Sequence, residues 1–295
     1  RPMSLYESAD STGQVSLKDL FDKPDSLEGE NNLNIDKLAF LICRGGWPHA
    51  VGMREKIALA QAEDYYEAVI KSDINRADGV SKNPERVKRL LRSLARNQGA
   101  QIANTMLKND IVSNDTESLN EDTIASYLNA LKKIFVIEDM PAWNPNLRSK
   151  TSIRSSDTRY FVDPSIAVSA LGAGPQDLIN DLNTMGLLFE TLCVRDLRVY
   201  AEKIGGSVLH YRDKSGLECD TVIHLKNGRY GLAEIKLGGQ KLIEEGAANL
   251  KALSNKIDTS KMLAPSFLMI IIGVGEFAYK REDGIFIVPI GCLKD

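Results

Sequence analysis

Residues 217–239 read LECDTVIHLKNGRYGLAEIKLGG, and this stretch decides the fold. Residues 217–225 have the composition of a strand, with Asp220, Val222 and His224 at alternate positions. Asn227-Gly228 is a strong hairpin signal, because both residues accept the left-handed backbone of a tight turn. Residues 230–237 return as a second strand carrying Glu234 and Lys236, two apart and therefore on one face. Gly238-Gly239 ends that strand, and the spacing predicts a helix to residue 253. Further on, 267–274 (FLMIIIGV) reads as a buried strand and 285–289 as a last one. Upstream, 207–211 is a strand followed by a polar turn. Before it lies a long helix over 181–202, with Leu188, Leu192 and Leu197 on its apolar face and Glu190 near the edge of that face.

The order helix acid, strand acid, strand Glu-x-Lys has a chemical logic. Asp220 and Glu234 on neighbouring strands of one sheet are placed to converge on a divalent cation, and hard carboxylate oxygens with water are what Mg2+ takes. Lys236 beside them would orient or polarise an attacking water, and the metal would offset charge developing on a phosphodiester. Glu190 would add a ligand or hold a metal-bound water. The alternative for the same residues is an exposed salt-bridge ladder. Arg212, in Tyr211-Arg212-Asp213, would meet phosphate or pair with Asp213. Cys219 reads as a small strand residue opposite Asp220. The three histidines are dispersed without metal-ligand spacing, which argues against Ser-His-Asp or Cys-His chemistry.

The middle of the chain has a different pattern. Residues 84–97 form an amphipathic helix with Pro84 in its first turn; Val87, Leu90, Leu91 and Leu94 face a core, and Lys88, Arg89, Arg92 and Arg96 lie outside it. Ile102, Met106 and Ile111 mark a second short helix. Asn120 caps a third, with Ile124, Leu128 and Leu131 as its core stripe. Strands over 135–140 and 158–162 follow. Three short helices and a two-stranded ribbon are the parts of a winged helix. Its recognition helix would present Asn129 and Lys133, and its wing Arg148, Lys150 and Arg154, residue types suited to phosphate and base-edge contacts. Glu121 and Asp122 at the start of that helix oppose phosphate.

Composition sharpens these readings. The net charge of -3 over 295 residues averages segments of opposite sign. Residues 1–36 carry three basic and eight acidic side chains, whereas 82–108 carry seven basic and one acidic, so a localised basic face is expected rather than a uniformly basic protein. The longest apolar run is too short to span a bilayer. Four scattered cysteines without a CxxC pair exclude a zinc ribbon or a disulfide scaffold and point to a reducing, cytoplasmic setting. Gly-x-Gly at 172–174 and at 273–275 lacks the rest of a dinucleotide fingerprint, and no phosphate-binding loop occurs. Ser16 is placed to cap a short helix holding Leu17, Leu20 and Phe21. Residues 34–43 and 58–74 are helical, the first stopped by Gly45-Gly46-Trp47-Pro48.

Asp220 with Glu234-Ile235-Lys236 after a Glu-bearing helix resembles the PD-(D/E)XK nuclease fold, with Cys219-Asp220 in place of Pro-Asp. The wider chain resembles the C-terminal region, of unknown function, that follows the ATPase core in bacterial and archaeal AAA+ proteins. The resemblance is carried by Arg1-Pro2-Met3-Ser4-Leu5, Gly45-Gly46-Trp47-Pro48, Tyr127-Leu128, Arg148-Ser149-Lys150, Phe161-Val162-Asp163-Pro164-Ser165, Phe189-Glu190, Tyr211-Arg212-Asp213 and Glu234-Ile235-Lys236-Leu237-Gly238. It implies an α+β multidomain chain: the end of an ATPase module and its helical lid over 1–78, a winged helix over 79–162, and a nuclease-like domain with a mixed central sheet over 163–295. It further implies that the chain is the later part of a longer protein, whose ATP site would lie upstream in a core that part of the acidic entry packs against, and that copies assemble. Two functions stay open. One is a module that binds DNA or RNA and cleaves phosphodiesters with Mg2+ through Glu190, Asp220, Glu234 and Lys236. The other is an inactive nuclease-like fold serving docking, oligomerisation or capping of the ATPase.

Overall fold

The computed structural model describes residues 1–24, 27–77, 79–112, 120–145 and 157–295. Arg148, Lys150 and Arg154, the expected wing cations, lie outside the described residues.

The chain is α+β, built around a mixed sheet. The entry contributes β1 (Val15–Ser16), α1 (Leu17–Asp22) and β2 (Gly29–Glu30), and a helical layer follows with α2 (Ile35–Arg44), α3 (Glu55–Ala68) and α4 (Ile74–Arg76). Next come α5 (Pro84–Arg96), α6 (Asn104–Val112), α7 (Glu121–Lys133) and the strands β3 (Ile137–Met140) and β4 (Thr158–Phe161). Helices α8 (Pro164–Leu171), α9 (Pro175–Asn180) and α10 (Leu182–Lys203) lead into β5 (Gly206–Arg212), β6 (Glu218–Leu225) and β7 (Tyr230–Lys236). The end comprises α11 (Gln240–Lys256), β8 (Leu268–Ile272), β9 (Phe277–Lys280), β10 (Phe286–Pro289) and β11 (Leu293–Lys294).

Among the described residues one sheet has seven strands in the order β2-β9-β10-β8-β7-β6-β5. Its centre is parallel, β7 with β8 and β8 with β10, and its flanks are antiparallel. Both faces are covered, which is why the central strands read as unbroken apolar runs. Alternate residues separate cleanly: Ile223, Ala233, Ile235, Met269 and Ile271 share a core with Leu188, Leu192 and Leu197 of α10. Val222, Leu232, Ile270 and Ile272 join Ile243, Ala247 and Leu250 of α11 in a second core. Asn227-Gly228 turns β6 into β7, with Gly228 at φ 85°.

The expected helix starts are capped by side chains. Ser16, Asn34 and Asn120 each accept from the backbone N–H three residues on, and Asn83 accepts from Glu85 and Arg86. β3 and β4 pair antiparallel, so three helices and a hairpin do succeed one another in the middle of the chain. The first of the two strands starts later than expected, at Ile137, because Phe135 takes a left-handed conformation (φ 56°) that closes α7. The expected helix over 58–74 contains a π-helical turn at Val69–Asp73.

Three pairings were not legible in the sequence. β9 adds to β10, β2 adds to β9, and β1 pairs parallel with β11. The last two join the acidic entry to the far end of the chain. Leu5, Val15, Leu17, Leu20 and Phe21 are buried in the main core, and the Phe21 ring meets Phe267 edge-on at 4.9 Å. Among the described residues no helix is long and apolar enough to cross a membrane.

Candidate functional site

The hairpin β6–β7 sets Asp220 against the start of Glu234-Ile235-Lys236. Asp220 Oδ2 accepts from the Ile235 backbone N–H at 2.7 Å and from Lys236 Nζ at 3.1 Å. Lys236 Nζ also lies 2.6 Å from Glu234 Oε2. One ammonium thus bridges two carboxylates, as the two-residue spacing of Glu234 and Lys236 allows. Glu234 is 1% exposed, and its Oε1 is buried without a hydrogen-bond partner. Asp220 and Lys236 keep about a fifth of their side chains open. α11 crosses above them at Gly246, where an added Cβ would stand 3.4 Å from Glu234 Cβ and 3.5 Å from Lys236 Cε.

Glu190 reaches the same region from α10. Its Oε1 accepts from Tyr160 Oη of β4 at 2.6 Å. Gly99 lies so close to it that a Cβ there would stand 2.6 Å from that oxygen. The electrostatics form one unit. Burial first, then the charge of Asp220, pushes both Glu190 and Glu234 up to about 8. Burial works to lower Lys236, but Asp220 and Glu234 together outweigh it and hold Lys236 above its ordinary value, so its ammonium keeps its proton at neutral pH. Burial raises the Cys219 thiol well above its ordinary value, as befits a packed, inert residue.

A cation would find oxygens here. Asp220 and Glu234 could hold Mg2+ together with several waters, with Glu234 giving up its proton to the cation, and Glu234 Oε1 has no hydrogen-bond partner to displace. The three-carboxylate set is not formed: among the described residues no three His, Cys, Asp or Glu are grouped so as to hold a metal. Tyr160 occupies the Glu190 oxygen. The space beside Asp220 measures about 40 Å³, and its walls include Gly99, Thr158, Tyr160, Glu190, Glu218 and Asp220.

The remaining expected residues are scattered. Arg92 and Arg96 on α5, and Asn129 and Lys133 on α7, are exposed. Arg89 turns inward and donates to the Ile111 carbonyl at 3.0 Å, tying α5 to α6. Arg212 is exposed and pairs with Glu218 at 3.2 Å, whereas Asp213 pairs with Lys256.

Residues 185–293 match a domain of unknown function, DUF4143. That domain is found at the C-termini of AAA-ATPase-like proteins. Residues 35–177 match a second domain of unknown function, DUF8612. No curated protein and no solved structure matches the chain. The DUF4143 match takes in Glu190, Asp220, Glu234 and Lys236 together.

Sequence reasoning missed Tyr160 and Gly99, which reach the site from the DUF8612 segment. Their only signal was a strand tyrosine and a helix-ending glycine, and neither says which acid it will meet.

Proposed function

We propose that this chain is the C-terminal part of an AAA+ ATPase-type protein, and that its nuclease-like domain binds nucleic acid and hydrolyses phosphodiesters with Mg2+. The convergence of Asp220, Glu234 and Lys236 at hydrogen-bond distances, with a buried carboxylate oxygen left open, carries this reading. A bound Mg2+ would be held by Asp220 and Glu234 and would supply Lewis-acid stabilisation of the phosphoryl oxygens. Lys236, protonated between two acids, acts as a fixed cation for charge developing on the phosphate rather than as a base. The backbone N–H of Ile235 orients Asp220 from the neighbouring strand. The exposed Arg92, Arg96 and Lys133 would hold the nucleic-acid backbone in place. The AAA+ placement is supported by the DUF4143 match. Incubation of plasmid and single-stranded DNA or RNA with Mg2+ or Mn2+ tests the reading: wild type cuts, and Asp220→Ala and Lys236→Ala abolish cutting. Undiminished cutting by both variants rejects it.

A second reading is favoured by the narrow space beside Asp220. A gap of about 40 Å³ admits water and no nucleotide. In that reading the nuclease-like sheet is a catalytically silent platform for docking, oligomerisation or capping of the ATPase. It predicts no heat on Mg2+ titration by calorimetry and no function lost in Glu234→Ala.

A further inference from the structure

A second cavity lies away from Asp220, Glu234 and Lys236. It measures about 690 Å³, within the range of small-molecule sites. Three departures from ordinary chain geometry meet at its walls. Gly45 takes φ 73°, and with Gly46 it brings Trp47 to the cavity; a Cβ at Gly45 would stand 2.4 Å from Asp163 Oδ1, and one at Gly46 2.1 Å from the Met3 carbonyl. Tyr65, in ring contact with Trp47 at 4.5 Å, stands one turn before the π-helical segment Val69–Asp73. Phe135 occupies the left-handed position after α7, where glycine is the usual residue, and 77% of it is exposed. The left-handed turn closes α7, but glycine would serve that turn, and packing does not account for a phenylalanine there with its ring in water.

The Trp47 wall is braced from behind. Its indole Nε1–H donates to Ser165 Oγ at 2.9 Å, Ser165 Oγ donates to Asp163 Oδ1 at 2.6 Å, and Arg195 donates to Asp163 Oδ2 at 2.9 Å. Ser165 and Asp163 are wholly buried. Such support fixes an aromatic plane in one orientation, as a binding site requires. The polar part of the lining carries both signs. Lys132 pairs with Asp139, and Arg1 with Glu138, at the cavity wall.

We infer that this cavity binds a nucleobase. Flat apolar faces suit Trp47, Tyr65 and Phe135, while only an edge bearing both donors and acceptors meets carboxylates and ammonium side by side. A phenylalanine side chain would turn a bare C–H edge to those charges, and tyrosine or tryptophan would offer one polar group where a base edge offers several. The base arrives on a free nucleoside or nucleotide, or within a single strand. The inference is independent of the hydrolytic reading, because binding is read without metal and without cleavage.

Titration of the full chain with adenosine, adenosine monophosphate and a short single-stranded oligodeoxynucleotide, followed by tryptophan fluorescence, tests it. Trp143 is buried against Tyr211 and Tyr230, so a saturable quench reports Trp47. Phe135→Gly relieves the left-handed strain and is expected to raise the melting temperature while weakening binding about tenfold. Phe135→Tyr restores binding. Quenching by adenosine assigns the site to free nucleobase compounds, and quenching by the oligonucleotide alone assigns it to a base within a strand. No saturable quench with any of the three, or affinity unchanged in Phe135→Gly, overturns the inference.

Discussion

Two acid–base clusters in this chain use the same residue types and end in opposite states. In one, Arg195 lies between Asp163 and Asp196, and all four carboxylate oxygens accept hydrogen bonds: from Arg195, from Ser165, and from the backbone N–H groups of Gly46 and Leu5. Its three charged residues are essentially inaccessible. In the other, Lys236 lies between Asp220 and Glu234, partly open, with one buried oxygen unpaired. The closed cluster ties together four segments, at residues 5, 46, 163–165 and 195–196, as a structural hub does. The open one keeps acceptor capacity in reserve, in keeping with the ligand site proposed for it.

The largest effect is expected in the closed cluster. Arg195→Met leaves two buried carboxylates without a cation and is expected to cost about 3–5 kcal/mol, measured by urea unfolding. A loss below about 1 kcal/mol would mean that the cluster is not a hub. Next in size, Mg2+ at about a hundred times its Kd should stabilise the wild type by about 3 kcal/mol, with no effect on Asp220→Asn. Stabilisation that survives this change would place the cation elsewhere. Tyr160→Phe removes one hydrogen bond from Glu190 and should cost about 1 kcal/mol while increasing any cleavage, because the wall beside Asp220 loosens. The smallest effect is expected from Glu234→Gln. It removes a carboxylate that burial already disfavours, so stability should hold or rise slightly while Mg2+ affinity falls. A large loss of stability in that variant would make the open cluster structural as well.

Much of this was legible before the fold was known. Asn227-Gly228 between two apolar runs meant a hairpin, and once Asp220 and Glu-x-Lys lay on its two arms their meeting followed from the strand period. The caps at Ser16, Asn34 and Asn120 were legible for a similar reason, since a side-chain acceptor three residues before a free N–H is local chemistry. Arg89 was not. Its place on the basic face of α5 was right, but whether a long side chain meets solvent or the Ile111 carbonyl depends on where α6 packs.

By itself, then, the sequence determined what neighbours along the chain decide: strand faces, turns, caps, and the Asp220–Glu234–Lys236 constellation. Only the tertiary structure decided what distant segments do to one another. It joined the acidic entry to the last strand through Val15 and Leu293, brought Tyr160 and Gly99 onto Glu190, and closed Arg195 between Asp163 and Asp196. Periodicity reports which side of an element is apolar, whereas the partner on that side is set by packing across the whole chain.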